Sequence, residues 1–238
     1  MSNNYFRFRE FIIEQQHCSM KVTTEACILG AWFAGKGLSP SRILDIGSGT
    51  GLLMMMMAQR CDCPIDGIEI EQSSHAQSMT NIALSPWKDR LQVSNEDART
   101  HSMGHSYDLI VTNPPFYEKS LASADRGKNL AMHDSGLTLA QLLEVILRHL
   151  SPDGSFGILL PTDRSVLFEE MAMEKGCVTI DRLLVKQSPA HGHFRTILHM
   201  QKRNSQKEAK AFELVIRESD GGYSEAFRSM MRPYYLSV

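Results

Sequence analysis

The sequence predicts an α/β fold with a mostly parallel sheet, helices on both faces and an antiparallel hairpin near the C-terminal end. Short apolar strand patterns alternate with helical patterns over residues 42–175, which is typical of βαβ units. A glycine-rich turn over residues 47–51 joins the first strand pattern to its helix. Two later strand patterns, residues 178–186 and 195–201, are separated by a connection too short for a crossover helix, so they must pair antiparallel.

The elements follow one another in a regular order. Residues 42–46 form a short apolar strand pattern, and the methionine-rich residues 52–58 form a strong helix pattern. Further strands are predicted at residues 65–70, 91–94, 107–112 and 155–160, and further helices at residues 72–84, 139–150 and 167–175. The polar residues 202–210 are predicted to be a flexible connection. A last strand at residues 212–217 and a short helix from Ser224 follow it.

Composition is typical of a soluble globular protein, with 42% hydrophobic and 22% charged residues in a chain of 238. The formal net charge of −2 provides no general attraction to nucleic acid, so any such binding depends on local basic clusters. The sequence has neither an apolar run long enough to span a bilayer nor the apolar region of a signal peptide. We therefore expect a cytoplasmic protein without membrane contacts.

The cysteines do not follow the spacing of a disulfide framework. There are five of them, an odd number: Cys18, Cys27, Cys61, Cys63 and Cys177. The close pair Cys61-x-Cys63 lacks both the two-residue spacer and the second ligand pair of a structural zinc site. We therefore expect neither a disulfide scaffold nor a metal site.

The glycine turn has the spacing Asp45-x-Gly47-x-Gly49-x-Gly51. A dinucleotide-binding turn requires its third glycine where Leu52 stands, and a phosphate-binding loop requires a Gly-Lys-Ser/Thr sequence that is missing here. The observed spacing places a carboxylate at the strand end and lets the backbone approach an uncharged ligand closely. It favours a nucleoside that bears an amino acid over a pyrophosphate.

S-adenosylmethionine is such a ligand. Its ammonium group requires acceptors near Asp45, and its ribose hydroxyls require a carboxylate at the end of the next strand, where Glu69 stands. Asp97 and Ala98, after the third strand, can contact the adenine. Taken singly, Glu69 could be a solvated acid and Asp97 a loop cap. Together with the glycine spacing, they favour S-adenosylmethionine as the cofactor.

The tetrapeptide Asn113-Pro114-Pro115-Phe116 follows the strand pattern of residues 107–112 directly. Prolines fix φ and cannot donate hydrogen bonds, so the Pro114 carbonyl and the Asn113 side-chain oxygen are rigid acceptors. Such acceptors suit an exocyclic NH2 group, and Phe116 can stack on the ring that carries it. Considered alone, Pro-Pro after a strand is also compatible with a simple chain reversal.

These motifs resemble class I S-adenosylmethionine-dependent methyltransferases, and more narrowly those that methylate amino nitrogens through an Asn-Pro-Pro-aromatic motif. Over nearly the whole length the chain is similar to the bacterial valine-tRNA adenine-N6 methyltransferase family. The similarity lies in Met20-Lys-Val-Thr-Thr-Glu-Ala-Cys-Ile-Leu-Gly-Ala-Trp32, Leu44-Asp-Ile-Gly-Ser-Gly-Thr-Gly-Leu-Leu53, Ser85-Pro-Trp87, Leu214-Val-Ile-Arg217, Tyr223-Ser-Glu-Ala226 and Tyr234-Tyr-Leu236. The resemblance implies a seven-stranded Rossmann-like sheet and methylation of the adenosine next to the anticodon, with the tRNA anticodon loop as partner.

The motifs and the resemblance together predict a domain organisation and a set of site residues. Residues 1–40 would form an N-terminal cap segment, residues 41–203 the catalytic domain that binds S-adenosylmethionine, and residues 204–238 a strand-helix extension of that domain. The expected catalytic residues are Asn113, Pro114, Pro115 and Phe116. The expected cofactor contacts are Asp45, Gly47, Gly49, Gly51, Glu69, Asp97, Ala98, Lys21 and Asn113. The expected substrate contacts are Phe116, Tyr117, Arg126 and Lys128.

Two positions depart from the family pattern. Glu25 stands where relatives often carry Asp, which preserves the charge. Met132 precedes His133 where relatives tend to carry Arg, so a phosphate contact there would be lost or moved to Arg126 or Lys128.

Three other functions remain open at this point. A methyltransferase acting on guanine N2 in ribosomal RNA or on a glutamine amide in a protein would present NH2 to the same turn. The protein-glutamine class usually has a longer helical N-terminal domain than the roughly forty residues that precede the first strand here. A non-catalytic cofactor-binding subunit is disfavoured by the intact Asn-Pro-Pro-Phe motif and glycine turn.

Overall fold

The computed structural model describes residues 3–115, 137–202 and 208–237. Most of the predicted connection at residues 202–210 lies outside these ranges. The N-terminal part contains a hairpin of β1 (Tyr5–Arg7) and β2 (Ile12–Glu14), followed by helix α1 (Thr24–Ala34). The sequence predicts neither the hairpin nor α1; it predicts only that residues 1–40 form a cap segment.

Strands and helices then alternate as predicted. They are β3 (Ile43–Ile46), α2 (Leu52–Ala58), β4 (Ile65–Glu69), α3 (Gln72–Ala83), β5 (Leu91–Asn95), β6 (Tyr107–Thr112), α4 (Leu139–His149), β7 (Leu150–Pro161), α5 (Thr162–Glu174), β8 (Val178–Lys186), β9 (His193–Gln201), β10 (Lys210–Val215) and α6 (Glu225–Met231). Residues 151–154, whose sequence Ser-Pro-Asp-Gly is typical of a turn, lie inside β7. They form an irregularity there, because the register passes from Tyr107↔Leu150 directly to Leu109↔Ser155.

The main sheet has the strand order β10-β8-β9-β7-β6-β3-β4-β5. Among these eight strands, β9 alone runs against the others, pairing antiparallel with both β7 and β8. The predicted fold class, with its antiparallel C-terminal hairpin, is confirmed. The sheet has one strand more than the seven that the resemblance implied, because β10 adds to the edge in parallel register with β8.

The order of the strands creates a crevice beside β3. The chain proceeds from β3 outward through β4 to β5, then returns to place β6 on the other side of β3. Ligands of open α/β sheets bind outside the carboxyl ends of the strands at such a reversal. The Thr112 hydroxyl at the end of β6 donates to the Ile46 carbonyl at the end of β3 over 2.8 Å, which joins the two strand ends.

Two hydrophobic clusters cover the two faces of the sheet. One contains side chains of the N-terminal hairpin, α1, α2 and α6, and the other contains side chains of α4 and α5. Helix α1 approaches the sheet closely at Gly157 of β7, where an added Cβ would lie 2.1 Å from the Phe33 ring. All seven residues of α2, including its four methionines, are buried. These contacts hold the glycine turn, which immediately precedes α2.

Candidate active site

A cavity of about 400 Å³ lies at the carboxyl ends of β3, β4 and β6. Its volume falls within the range of small-molecule sites. Its wall includes residues of the glycine turn, the end of β4, the loop after β5, the Asn-Pro-Pro motif and the segment 19–22 before α1. Sequence motifs separated by many residues along the chain therefore meet in one crevice, at the reversal in strand order.

Gly47 and Gly49 of the glycine turn present bare backbone to this cavity, whereas Gly51 is buried and is not among its lining residues. Gly47, Gly49 and Gly51 have φ values of 75°, 54° and 82°, in the left-handed region that favours glycine. The Gly47 N–H donates to the Ile68 carbonyl over 2.9 Å, which fixes the start of the turn against β4. An added Cβ at Gly47 or Gly49 would have no atom within 4 Å, so both positions face open space.

Asp45 is fully buried at the end of β3. Neither of its carboxylate oxygens has a hydrogen-bond partner among the described residues. Burial, reinforced by the negative charge of Glu69, raises the pKa of Asp45 to about 8. A buried carboxylate without a partner is unfavourable, so this group is mostly neutral at pH 7 and would ionise when a cation is bound beside it. Asp45 is not among the residues that line the cavity, although the next residue, Ile46, is. The ammonium group of S-adenosylmethionine is a cation of the kind that the sequence predicts here.

Glu69 has a structural role in addition to the one predicted from the sequence. Its Oε2 accepts the Gly49 N–H and its Oε1 accepts the Glu71 N–H, each over 2.8 Å. The carboxylate therefore fixes the conformation of the glycine turn. Because an ionised carboxylate has about four acceptor sites, it can still accept hydrogen bonds from ribose hydroxyls.

Asp97 and Ala98 line the same cavity from the loop after β5. The Asp97 carboxylate accepts hydrogen bonds from the Arg99 guanidinium, with 2.6 Å between Arg99 Nη2 and Asp97 Oδ2. The Arg99 side chain holds the pKa of Asp97 below its ordinary value. Ala98 is buried. Part of the acceptor capacity of Asp97 is thus used within the protein.

The Asn-Pro-Pro motif forms another part of the wall. Asn113, Pro114 and Pro115 line the cavity, and the Asn113 Oδ1 atom is buried without a hydrogen-bond partner among the described residues. The Asn113 Nδ2 atom lies 4.0 Å from the sulfur of Met20. Phe116, an expected catalytic residue and substrate contact, lies outside the described residues. So do the other expected substrate contacts, Tyr117, Arg126 and Lys128, and the pair Met132 and His133, where the sequence departs from the family pattern.

The segment before α1 contributes Ser19, Met20, Lys21 and Val22 to the cavity wall. The predicted contact Lys21 therefore lies at the cavity, where its Nζ also donates to the Asn3 carbonyl over 3.4 Å. Sequence reasoning missed Met20 as a cavity residue. It also missed the buried polar face of α3, made of Ser74, Gln77, Ser78 and Asn81. Their spacing along the predicted helix was the available signal.

The cysteines, the potential metal ligands and the lengths of the helices bear on the remaining sequence predictions. All five cysteines are free thiols. Within residues 3–115, 137–202 and 208–237 there is no cluster of three or more His, Cys, Asp or Glu side chains arranged to hold a metal ion. Over the same residues, no helix is long and apolar enough to cross a membrane.

Residues 32–159 match the model of a known protein family, the methyltransferase small domain. Relatives named tRNA1(Val) (adenine(37)-N6)-methyltransferase match the chain over its length. The Bacteroides fragilis protein is 35% identical and covers 100% of both chains. The Dyadobacter fermentans protein is 36% identical over 98% of both chains. The Serratia proteamaculans protein is 35% identical over 97% of this chain and 89% of the relative.

Solved structures show the same fold at much lower identity. A protein described as a predicted O-methyltransferase from Agrobacterium tumefaciens superposes with a TM-score of 0.64 at 13% identity, covering 87% of this chain and 95% of its own. The ribosomal protein L11 methylase of Lactobacillus delbrueckii subsp. bulgaricus gives a TM-score of 0.58 at 15% identity, covering 81% and 84%. The sheet described above is therefore that of class I methyltransferases.

Proposed function

This chain belongs to the family of bacterial tRNA1(Val) (adenine(37)-N6)-methyltransferases, and we propose that it methylates N6 of the adenosine next to the anticodon of valine tRNA. It is a methyltransferase, and S-adenosylmethionine is its methyl donor. The observation that carries the choice of site is a pair of buried acceptors without partners among the described residues: the Asp45 carboxylate at the end of β3, next to the cavity residue Ile46, and the Asn113 amide oxygen in the cavity wall. One suits a cationic ligand and the other an amino group.

The residues in the wall of this cavity, together with Asp45 next to it, fit S-adenosylmethionine. Asp45 would accept hydrogen bonds from the ammonium group, and Glu69 would accept them from the ribose hydroxyls. The exposed backbone of the glycine turn gives the ligand close access to the strand end. We assign the remaining cofactor contacts to Gly47, Gly49, Gly51, Asp97, Ala98, Lys21 and Asn113.

Adenine N6 is a poor nucleophile because its lone pair is conjugated with the ring. In the proposed mechanism the Asn113 side-chain oxygen and the Pro114 carbonyl each accept a hydrogen bond from one N–H of this amino group. They draw the nitrogen towards a tetrahedral shape in which the lone pair is available. Bound S-adenosylmethionine supplies an electrophilic methyl group. No general base is required before transfer, and the acceleration comes from alignment and preorganised acceptors.

The target base must leave its stack to enter the cavity, which is easiest in a single-stranded loop. We assign stacking on the base to Phe116, worth about 1–3 kcal/mol. Tyr117, Arg126 and Lys128 remain the proposed substrate contacts. The division into a cap at residues 1–40, a catalytic domain at residues 41–203 and an extension at residues 204–238 likewise remains a proposal.

The Asn113→Ala variant tests the function and the mechanism together. We expect its affinity for S-adenosylmethionine, measured by calorimetry, to stay within about threefold of wild type while methyl transfer falls by about 100-fold or more. Transfer is measured on unmodified total tRNA, followed by nucleoside mass spectrometry that separates N6-methyladenosine from N2-methylguanosine. Asn4→Ala, at an exposed asparagine, serves as the matched control.

Two results would contradict the proposal in different ways. If Asn113→Ala retains turnover, Asn113 has no part in the mechanism, but the assignment of tRNA as the substrate is unaffected. A wild-type enzyme that produces no N6-methyladenosine in tRNA would refute the proposed substrate. Incubation with ribosomal RNA and with proteins then tests the guanine-N2 and glutamine-amide alternatives.

A further inference from the structure

The buried face of α3 is polar because it binds the backbone of the N-terminal segment. Asn81 is only 1% exposed. Its Oδ1 accepts the Glu14 N–H over 2.9 Å, and its Nδ2 donates to the Glu14 carbonyl over 2.9 Å and to the Thr50 carbonyl over 3.0 Å. One side chain thus joins the end of β2 to the glycine turn.

Further contacts follow along the same helix towards its N-terminal end. The Gln77 side-chain oxygen accepts the His17 N–H over 3.4 Å. Glu71 accepts hydrogen bonds from Ser74 and from Ser19, and these lower the pKa of its carboxyl. The chain from Glu14 to Ser19 therefore runs along α3 in the opposite direction to the helix, and it reaches the cavity at the next residue, Met20.

The position of Met20 is also fixed from its other side. The side chain of Gln15 is buried, and its Oε1 accepts the Val22 N–H over 2.9 Å. The Cys18 thiol donates to the Met20 carbonyl over 3.2 Å. Despite this well-held backbone, the Met20 side chain is 41% exposed. An apolar side chain is thus held at the edge of the cavity by neighbours on both sides.

Met20 contacts the nitrogen end of the Asn113 side-chain amide. Its sulfur lies 4.0 Å from Asn113 Nδ2, whereas Asn113 Oδ1 is buried in the cavity wall without a partner among the described residues. A thioether is only a weak acceptor, so its main effect on this nitrogen is to cover it. An amide whose nitrogen is covered presents its oxygen to any donor that enters.

We propose that Met20 is a positioning residue for methyl transfer, which covers the Asn113 amide nitrogen and so directs the amide oxygen at the target amino group. This inference rests on the proposed function, because it assumes that Asn113 accepts the N–H of that group. It assigns the polar face of α3 the task of holding Met20 in place. Met20 acts on the rate of transfer, through Asn113, more than on cofactor affinity.

The test compares Met20→Ala with Met20→Leu, which preserves the apolar volume. Met173→Ala, at a methionine of α5 that is 60% exposed, is the matched control. Single-turnover methyl transfer to tRNA is measured at saturating cofactor, and cofactor affinity is measured by calorimetry. We expect transfer by Met20→Ala to fall about tenfold, because misplacing a group at the reacting centre by a fraction of an ångström has effects of this size. Its cofactor affinity should change less than about threefold.

Met20→Leu should recover most of the lost rate, and Met173→Ala should match wild type. An unchanged rate in Met20→Ala would overturn the inference. So would a Leu variant as slow as the Ala variant, or an affinity loss as large as the loss of rate. With an active wild-type enzyme, these results leave the proposed function standing. Absence of tRNA methylation by the wild type would instead refute that function, and this inference with it.

Discussion

Binding of S-adenosylmethionine should strengthen as the pH rises towards about 8, because Asp45 must lose a proton to accept the ammonium group. Burial and the nearby charge of Glu69 raise the pKa of Asp45 to about 8 in the ligand-free protein. Below that pH, most molecules carry a neutral carboxyl at this position. Each pH unit below the pKa lowers the ionised fraction about tenfold, so the affinity should fall about tenfold, or about 1.4 kcal/mol, per unit.

The sign of the effect follows from the direction of the shift. The ligand-free pKa of Asp45 lies above its ordinary value of 3.8, and a neighbouring ammonium lowers it again. Binding therefore releases a proton at neutral pH, and it becomes weaker on acidification. The α-amino group of the ligand has a pKa of about 8 and is mostly protonated below it. Loss of the ligand's positive charge therefore weakens binding only above about pH 8.

Calorimetry in two buffers with different ionisation enthalpies measures both the affinity and the number of protons released. We expect close to one proton per cofactor at about pH 7. Asp45→Asn cannot titrate, and it should bind more weakly with a nearly flat pH profile. Asp62→Asn, at a fully exposed carboxylate, should behave as wild type. A wild-type affinity that is constant from about pH 6 to about pH 8, with no proton exchange, would refute the reasoning.

Two further predictions concern stability, measured by urea unfolding. Asn81→Ala leaves a backbone N–H and two carbonyls without their partner. It should therefore lower the free energy of unfolding by about 3 kcal/mol and weaken cofactor binding. Thr80→Ala, at an exposed position of the same helix, should change the free energy of unfolding by about 0.5 kcal/mol or less. Equal effects would show that Asn81 does not hold the cap. Lys36→Ala removes the ammonium group that lies 2.5 Å from the carboxylate of the largely buried Asp181, so it should lower the free energy of unfolding by about 3 kcal/mol. Arg232→Ala, which breaks an exposed ion pair with Glu225, should lower it by about 0.5 kcal/mol or less. Similar losses from both variants would argue against burial as the cause.

Hydrophobic periodicity and glycine spacing predict local structure well here, because both depend on neighbours along the chain. The predicted helix at residues 52–58 coincides with α2, and the hairpin of β8 and β9 follows from a connection too short for a helix. Helix α1 gives a weak signal, because it is apolar on nearly all sides and shows no helical period. The polar face of α3 resembles a solvated face until the partner backbone of the N-terminal segment is known.

The sequence by itself determined the fold class, the glycine turn and the choice of cofactor, and it predicted the Asn-Pro-Pro acceptors. Each of these depends on residue types at short spacing, where backbone geometry and donor chemistry leave few alternatives. Only the tertiary structure decided that Asp45 and Asn113 Oδ1 are buried without partners among the described residues. It also decided that Glu69 fixes the turn and that Met20 lies against Asn113. Burial and contact across 93 residues arise from packing, which local sequence patterns do not encode.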